Sequence, residues 1–135
     1  MLPALEIVDS RVADWRITLV DTIADNASSG GFVLGGTPTR LGDVDLRLAG
    51  CVFTRNARVV GTGAGGAVLG SPINGLVWLA NTVGALGTTL EAGHIILPGA
   101  VTSMVPVEPG DVLAATFAGL GTVTARFADP RKATS

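Results

Sequence analysis

Charged side chains are scarce in this sequence. Asp, Glu, Lys and Arg make up 15% of its 135 residues, against about 25% in an average domain. So few charges cannot cover a folded surface, and we expect apolar patches that are covered by other subunits or by a missing part of the same polypeptide. The net charge is −2. Acidic and basic residues are interspersed along the sequence. The small negative charge and this mixing exclude a basic surface for nucleic acid or for anionic lipid.

Histidine and cysteine occur once each, which excludes sites that need several of either. Cys51 cannot form an intrachain disulfide, and its apolar surroundings indicate a buried, inert thiol rather than a nucleophile. His94 has no second histidine or cysteine ligand nearby, so we interpret it as a structural residue at a strand start instead of a zinc ligand. The lone cysteine indicates a reduced, cytoplasmic setting, and we see no signal peptide.

No charged residue lies between Arg58 and Glu91. Glycines interrupt the first half of this run, and the remainder, 72–86, is shorter than the ~20 residues of a membrane span. We therefore predict a buried helix and no membrane association.

Residues 61–66 match the G-x-G-x-x-G pattern of dinucleotide-binding loops. That function needs a helix directly behind the glycines and an acid about 20 residues further on. Gly70 and Pro72 precede the helix here, and Glu91 lies beyond its end. We interpret the glycines as a connector between a strand and a helix.

Short β-branched runs between glycines predict a mostly β (α+β) domain with mixed β-sheets and one substantial helix. We expect that helix to begin at Pro72 after an N-cap at Ser71 and to stop at Gly87, with a shorter helix or turn at 21–27. Residues 1–127 are expected to form one unit, followed by a loose tail at 128–135. Strands are predicted at 5–8, 15–19, 32–34, 45–54, 57–62, 94–97, 101–107, 112–117 and 122–127, with turns at 55–56 and 108–111.

Glu6 is unusual because it is an acid within an apolar strand. A buried carboxylate must be paired, protonated or bound to a metal. Glu6 could form an ion pair with Arg11 or Arg16, or it could be a metal ligand, and the residues alone leave both alternatives open. The polar loop 25–30 suits binding of a carboxylate, and equally suits a capped turn.

Several blocks of this sequence resemble one family. Residues 3–11, 14–15 and 21–30, followed by 68–72, 77–81, 92–99 and 109–111, are similar to the 2-hydroxypentadienoate (2-keto-4-pentenoate) hydratases and the 4-oxalocrotonate decarboxylases of the fumarylacetoacetate hydrolase superfamily. The likeness covers nearly the whole chain in one order. It implies that residues 1–127 are part of a C-terminal catalytic domain, with the β-sheets typical of that superfamily.

The resemblance also implies a site. In this family a divalent metal, Mg²⁺ or Mn²⁺, is held by three carboxylates, two from an upstream Glu-x-Glu and the third at the position of Glu6. Ser28 would lie beside the substrate carboxylate, with Asn26 nearby. The catalytic residues themselves are unknown here, because the upstream lysine and acid of the family have no counterpart. Pro98 replaces the Thr or Ser of many relatives and cannot donate a hydrogen bond.

The implied reaction is a hydro-lyase step in aromatic catabolism. Water adds to 2-hydroxypenta-2,4-dienoate through a metal-bound enolate and gives 4-hydroxy-2-oxopentanoate. The alternative is 4-oxalocrotonate decarboxylation through the same enolate, and a further alternative is a non-catalytic assembly module. Expected partners are the small 2-oxo or 2-hydroxy-dienoate substrate, further copies in a homo-oligomer or a missing N-terminal half, and an aldolase or decarboxylase of the same pathway.

The sequence has no Glu-x-Glu. We therefore expect a C-terminal fragment, a truncated chain or one piece of a split polypeptide. One acid cannot hold Mg²⁺ tightly, so the chain alone is expected to be inactive.

Overall fold

The structure of the chain, a computed structural model, describes residues 1–129. Six of the eight residues of the predicted tail, 130–135, lie outside the described residues. The strands are β1 (Ala4–Val8), β2 (Ser29–Leu34), β3 (Gly50–Arg55), β4 (Arg58–Ala64), β5 (Val112–Phe117) and β6 (Gly121–Arg126), and the helices are α1 (Leu19–Ala24) and α2 (Pro72–Ala85). Short 3₁₀ turns lie at Ala13–Trp15, Asn26–Ser28 and Gly65–Ala67.

The described strands form two sheets, one of β1 and β2 and one in the order β4-β3-β5-β6. The expected α+β class is confirmed, but every described pair is antiparallel, so the expectation of mixed sheets is wrong in this detail. Short turns join β3 to β4 and β5 to β6, and such turns permit only antiparallel pairing.

The core lies on the inner face of the four-stranded sheet. Leu5 of β1 and Val33 of β2 pack against it, so the small sheet covers the large one. The predicted buried thiol is confirmed, because Cys51 is 4% exposed and burial raises its pKa. The buried core residues are Cys51, Phe53, Leu113, Ala115 and Val123.

The predicted hairpin around residue 56 is confirmed, with its turn displaced by one residue. Asn56 and Ala57 occupy the turn with φ of 51° and 65°, a left-handed pair that matches the twist of a two-residue hairpin. The predicted strand at 45–54 begins only at Gly50. Before it, the N–H groups of Leu48 and Ala49 donate to the Asp45 carbonyl and form a turn.

Helix α2 begins and ends where the sequence predicts. The Ser71 hydroxyl accepts from the N–H of Ile73, and Gly87 follows the last turn with φ of 81°. The prediction that the helix is buried is wrong, because Trp78 is 62% exposed. Among its described residues only Gly75 is buried. No helix within residues 1–129 is long and apolar enough to cross a membrane.

Three predicted strands do not form. Residues 15–19 lead instead into α1, because Thr18 and Asp21 make a reciprocal capping box that starts a helix. Residues 94–97 and 101–107 are irregular. Between them Gly99 has φ of 130°, a conformation that interrupts a strand.

His94 therefore does not open a strand. It is exposed, and its Nδ1 accepts from the N–H of Glu91 at 3.1 Å. Its role is local, within a turn of the loop that follows α2.

Candidate functional site

A cavity of about 480 Å³ lies between β1, the inner face of the large sheet and the irregular segment 96–105. Most of its lining is apolar, including Leu5, Phe53 and Leu113. Polar groups are few, and Glu6 supplies the one carboxylate among the lining residues. The cavity is thus apolar, with one acidic residue among those that line it, a composition common for small-molecule sites.

Glu6 lies on β1 opposite Phe32 of β2. It is exposed, whereas its neighbour Leu5 packs against the core, as strand alternation requires. Within residues 1–129 Glu6 forms neither an ion pair nor a side-chain hydrogen bond. The alternative of an ion pair is wrong for both candidate arginines, because Arg11 pairs with Asp25 and Arg16 lies 3.9 Å from Asp14.

The Glu6 carboxylate therefore remains available to a cation. In the described part of the chain no group of three His, Cys, Asp or Glu side chains is arranged to hold a metal. Glu6 fits the part of a single oxygen ligand for a hard divalent ion, with the other ligands supplied from elsewhere.

Ser28 lies in a hydrogen-bond network centred on Asp25. It is 2% exposed, and its hydroxyl donates to Asp25 Oδ2 at 2.8 Å. The same carboxylate accepts from the Ser10 hydroxyl at 3.2 Å and from Arg11 Nε at 2.5 Å. Burial acts to raise the pKa of Asp25, but the hydrogen bonds from Ser28 and Arg11 and the charge of Arg11 hold that pKa below its usual range.

The backbone of this segment is left-handed over three successive residues. Asn26, Ala27 and Ser28 have φ of 52°, 56° and 53°, a conformation that costs a non-glycine residue roughly 1–2 kcal/mol. Asn26 is exposed, and its side chain has no hydrogen bond to a described residue. Such strain is maintained only where surrounding contacts impose it, and it is common at functional sites.

The two predicted parts of the site are separated along the small sheet. Ser28 accepts from the N–H of Asp9, three residues beyond Glu6, which is roughly 10 Å at ~3.3 Å per residue. Neither Asn26 nor Ser28 lines the cavity that Glu6 lines. Their substrate-binding roles stay predictions.

Sequence reasoning missed the part played by Arg11. The sequence offered Arg11 as a partner for Glu6, yet Arg11 binds Asp25, 14 residues away. No local spacing signals such a pair, because it forms only when β1 and β2 bring the two loops together.

The connector reading of the G-x-G-x-x-G pattern is confirmed, since β4 runs through Gly63 into a 3₁₀ turn before α2. A Cβ on Gly63 would lie 1.8 Å from the Val101 carbonyl oxygen, and one on Gly65 equally close to that of Leu46. Close packing therefore accounts for these glycines.

The small antiparallel sheet covers the four-stranded one, and Glu6 is the one acidic residue that lines the cavity beside them. Residues 2–128 match the fumarylacetoacetate (FAA) hydrolase C-terminal family, and the chain belongs to that family.

Two curated hydratases are similar to this chain. The chain is 53% identical over 127 residues to the 2-keto-4-pentenoate hydratase of Paraburkholderia xenovorans (strain LB400), covering 94% of this chain and 47% of that protein. It is 42% identical over 127 residues to the 2-hydroxyhexa-2,4-dienoate hydratase of Comamonas testosteroni, covering 94% and 48%. The chain therefore spans about half the length of these curated relatives.

A solved structure is also similar. The 4-oxalocrotonate decarboxylase from Pseudomonas putida G7, complexed with magnesium and adipate, superposes with a TM-score of 0.89 at 43% identity. The match covers 93% of this chain and 48% of the decarboxylase.

Proposed function

We propose that this chain is the C-terminal part of a hydro-lyase that adds water to 2-hydroxypenta-2,4-dienoate and gives 4-hydroxy-2-oxopentanoate, in aromatic catabolism. The observation that carries the proposal is Glu6, an exposed glutamate that is the one acidic residue lining an apolar cavity and that has no ion pair among residues 1–129. The identity of 53% to a 2-keto-4-pentenoate hydratase supports it, since it extends over 94% of the chain.

The proposed cofactor is Mg²⁺ or Mn²⁺. Glu6 is the ligand that this chain would supply, because carboxylate oxygens suit hard cations. The magnesium of the similar decarboxylase supports this choice. When bound, such a cation supplies Lewis-acid stabilisation of negative charge on a substrate oxygen.

The other roles belong to the cavity and to the loop after α1. The apolar lining accommodates a hydrocarbon chain and excludes water from it.

Asn26 and Ser28 are proposed to bind the substrate carboxylate. A serine hydroxyl has one hydrogen, and Ser28 gives it to Asp25. Ser28 must therefore rotate away from Asp25 before it donates to a substrate.

Decarboxylation of 4-oxalocrotonate is the second candidate function. The TM-score of 0.89 to a 4-oxalocrotonate decarboxylase supports it. Both reactions need negative charge stabilised on the same substrate oxygen, so the residues of this chain serve either one.

We further infer that the chain acts with other polypeptide. Leu19, Val20 and Ile23 of α1 are each more than 70% exposed, and apolar patches of this kind mark surfaces that are covered in the working assembly. The occupants expected from the sequence are further copies of the chain or an N-terminal half. An aldolase or decarboxylase of the same cytoplasmic pathway remains a proposed partner.

The test uses the full polypeptide encoded by the reading frame that contains this sequence. Glu6→Gln keeps the size of the side chain but removes its charge. We expect Mn²⁺ affinity, measured by titration calorimetry, to fall by at least roughly 10- to 100-fold, because loss of a partner that only supports a metal ligand already costs that much. Turnover of 2-hydroxypenta-2,4-dienoate should fall in parallel.

Glu91→Gln is the matched control, because Glu91 is also an exposed glutamate but lies outside the cavity lining. It should change neither metal affinity nor turnover. Unaltered Mn²⁺ binding in Glu6→Gln would overturn the ligand assignment. Assays with both substrates decide between the two reactions, and turnover of neither one would favour the assembly module.

A further inference from the structure

The side chain of Arg11, which pairs with Asp25, connects three backbone segments. Arg11 Nη1 donates to the carbonyl oxygens of Asp9 at 3.0 Å and Ser29 at 2.9 Å, and Nη2 donates to that of Asp25. Its Nε donates to the Asp25 carboxylate. One guanidinium therefore joins the end of β1, the end of α1 and the start of β2.

Asp25 completes the connection from the other side. Its side chain is 7% exposed, and it accepts from the hydroxyls of Ser10 and Ser28 and from the N–H of Arg11. The residues between these bonded positions, Asn26–Ser28, are the three left-handed ones. Without these bonds a chain of non-glycine residues relaxes to right-handed or extended backbone.

The turn of Asn26–Ser28 presents its residues unequally. Ser28 points inward, where it is 2% exposed and bonded to Asp25. Asn26 is exposed, with its amide group unbonded within the described residues. A ligand that reaches this turn therefore meets Asn26, with Ser28 behind it.

We infer that Arg11 and Asp25 are a positioning pair that holds Asn26–Ser28 left-handed and so presents Asn26 to the substrate carboxylate. Ser28 supports the turn as long as its hydroxyl donates to Asp25. This inference rests on the proposed function for its substrate, but the clamp itself is a property of the fold.

The first readout needs no activity. In the full polypeptide, Arg11→Met removes all the guanidinium hydrogen bonds while keeping an unbranched side chain. We expect the amides of Asp9 and Ser28, which bond to Ser28 and Asp25 carbonyls, to exchange hydrogen at least roughly tenfold faster, as expected for local opening. Amides of β5 and β6 should keep their rates. Arg16→Met is the matched control, because Arg16 is 79% exposed and lies 3.9 Å from Asp14.

The second readout separates positioning from mere stability. Arg11→Met and Asp25→Asn should raise KM for the dienoate roughly tenfold with kcat little changed, as expected when a hydrogen bond made equally in the ground state and the transition state is lost. Arg11→Lys should recover part of the affinity. Adding Arg11→Met to Asn26→Ala should raise KM no further than Asn26→Ala does alone.

The outcomes are distinguishable. Unchanged exchange at Ser28 in Arg11→Met would overturn the clamp, and additive effects on KM would overturn its action through Asn26. An inactive wild-type polypeptide contradicts the proposed function only, and the exchange rates then decide the clamp by themselves.

Discussion

At the scale of single residues, Gly63 allows the backbone of segment 96–105 to pack directly on the backbone of β4. Segment 96–105 crosses β4 where Gly63 exposes its backbone to the Val101 carbonyl. The segment has no strand or helix of its own. Its position depends on such close contacts and on apolar side chains such as Val101 and Val105, which pack against the core.

Gly63→Ala should destabilise the chain. The added methyl would lie 1.8 Å from the Val101 carbonyl oxygen, so one of the backbones must move, at a cost of roughly 1–3 kcal/mol or more. Urea unfolding followed by tryptophan fluorescence measures the loss. Gly61→Ala is the control on the same strand, because its methyl meets Thr102 at an ordinary 3.6 Å. Equal stability of the two variants would refute this account.

At the scale of elements, the β3–β4 hairpin is fixed by its turn and by one side chain. Asn56 accepts from the N–H of Val112 at 3.0 Å and donates to Asp111 Oδ1 at 2.7 Å. The turn that pairs β3 with β4 therefore also holds the start of β5. The asparagine is a local signal, so the hairpin is predictable from it. The pairing of β5 with β3 is not, because the contact between Asn56 and Val112 joins residues far apart in sequence.

Ala57→Gly should stabilise the hairpin. Ala57 has φ of 65°, which glycine adopts without the roughly 1 kcal/mol penalty of a Cβ. Thermal unfolding should show a higher Tm. Ala114→Gly, within β5, is the contrasting variant, and it should lower Tm because glycine weakens a strand interior. A lower Tm for Ala57→Gly would contradict the assignment of strain to this turn.

The predicted strand at 15–19 is wrong because a local cap overrides its alternating pattern. Residues 15–19 have the alternation of a strand, but the Thr18 and Asp21 capping box starts α1. The Thr18 hydroxyl competes with strand formation by bonding the local backbone. Helix α2 was located correctly from Ser71, Pro72 and Gly87, because caps are local signals. Its burial was not predictable, since burial depends on what packs against it.

At the scale of the whole molecule, many large apolar side chains are exposed among the described residues. Trp78 on α2 and Leu86 after it are 62% and 80% exposed. The low charge content predicted such a surface, and exposed apolar side chains of this kind are present among the described residues. In the proposed assembly, further copies of the chain or an N-terminal half cover them.

Acid should destabilise the fold through its paired carboxylates. The N–H of Glu108 and the amide of Asn56, with Arg55 beside them, lower the pKa of Asp111 despite its burial. Because the folded pKa lies below the unfolded one, the stabilisation is present above about pH 4 and is lost as pH falls through the folded pKa. The pKa of Asp25 is lowered as well. We therefore expect Tm to fall as pH decreases from about 5 to 2.

Asp111→Asn tests this dependence. It should lower Tm at pH 7 and flatten the decline in acid, because the variant has no proton to gain at this position. Asp43→Asn is the control, since Asp43 is exposed and its side chain pairs with no described residue. An acid decline as steep in Asp111→Asn as in the wild type would place its origin at other carboxylates.

The sequence by itself determined the family, the position of Glu6 in β1, the ends of α2 and the hairpin at residue 56. These depend on residue identity and on spacing within a few positions, which act before the chain is compact. The tertiary structure alone decided that Glu6 is exposed and unpaired among the described residues, that Arg11 binds Asp25, and that segment 96–105 closes a cavity instead of adding strands. Each of these joins residues distant in sequence, and their pairing is chosen only when the sheets bring the competing partners within reach.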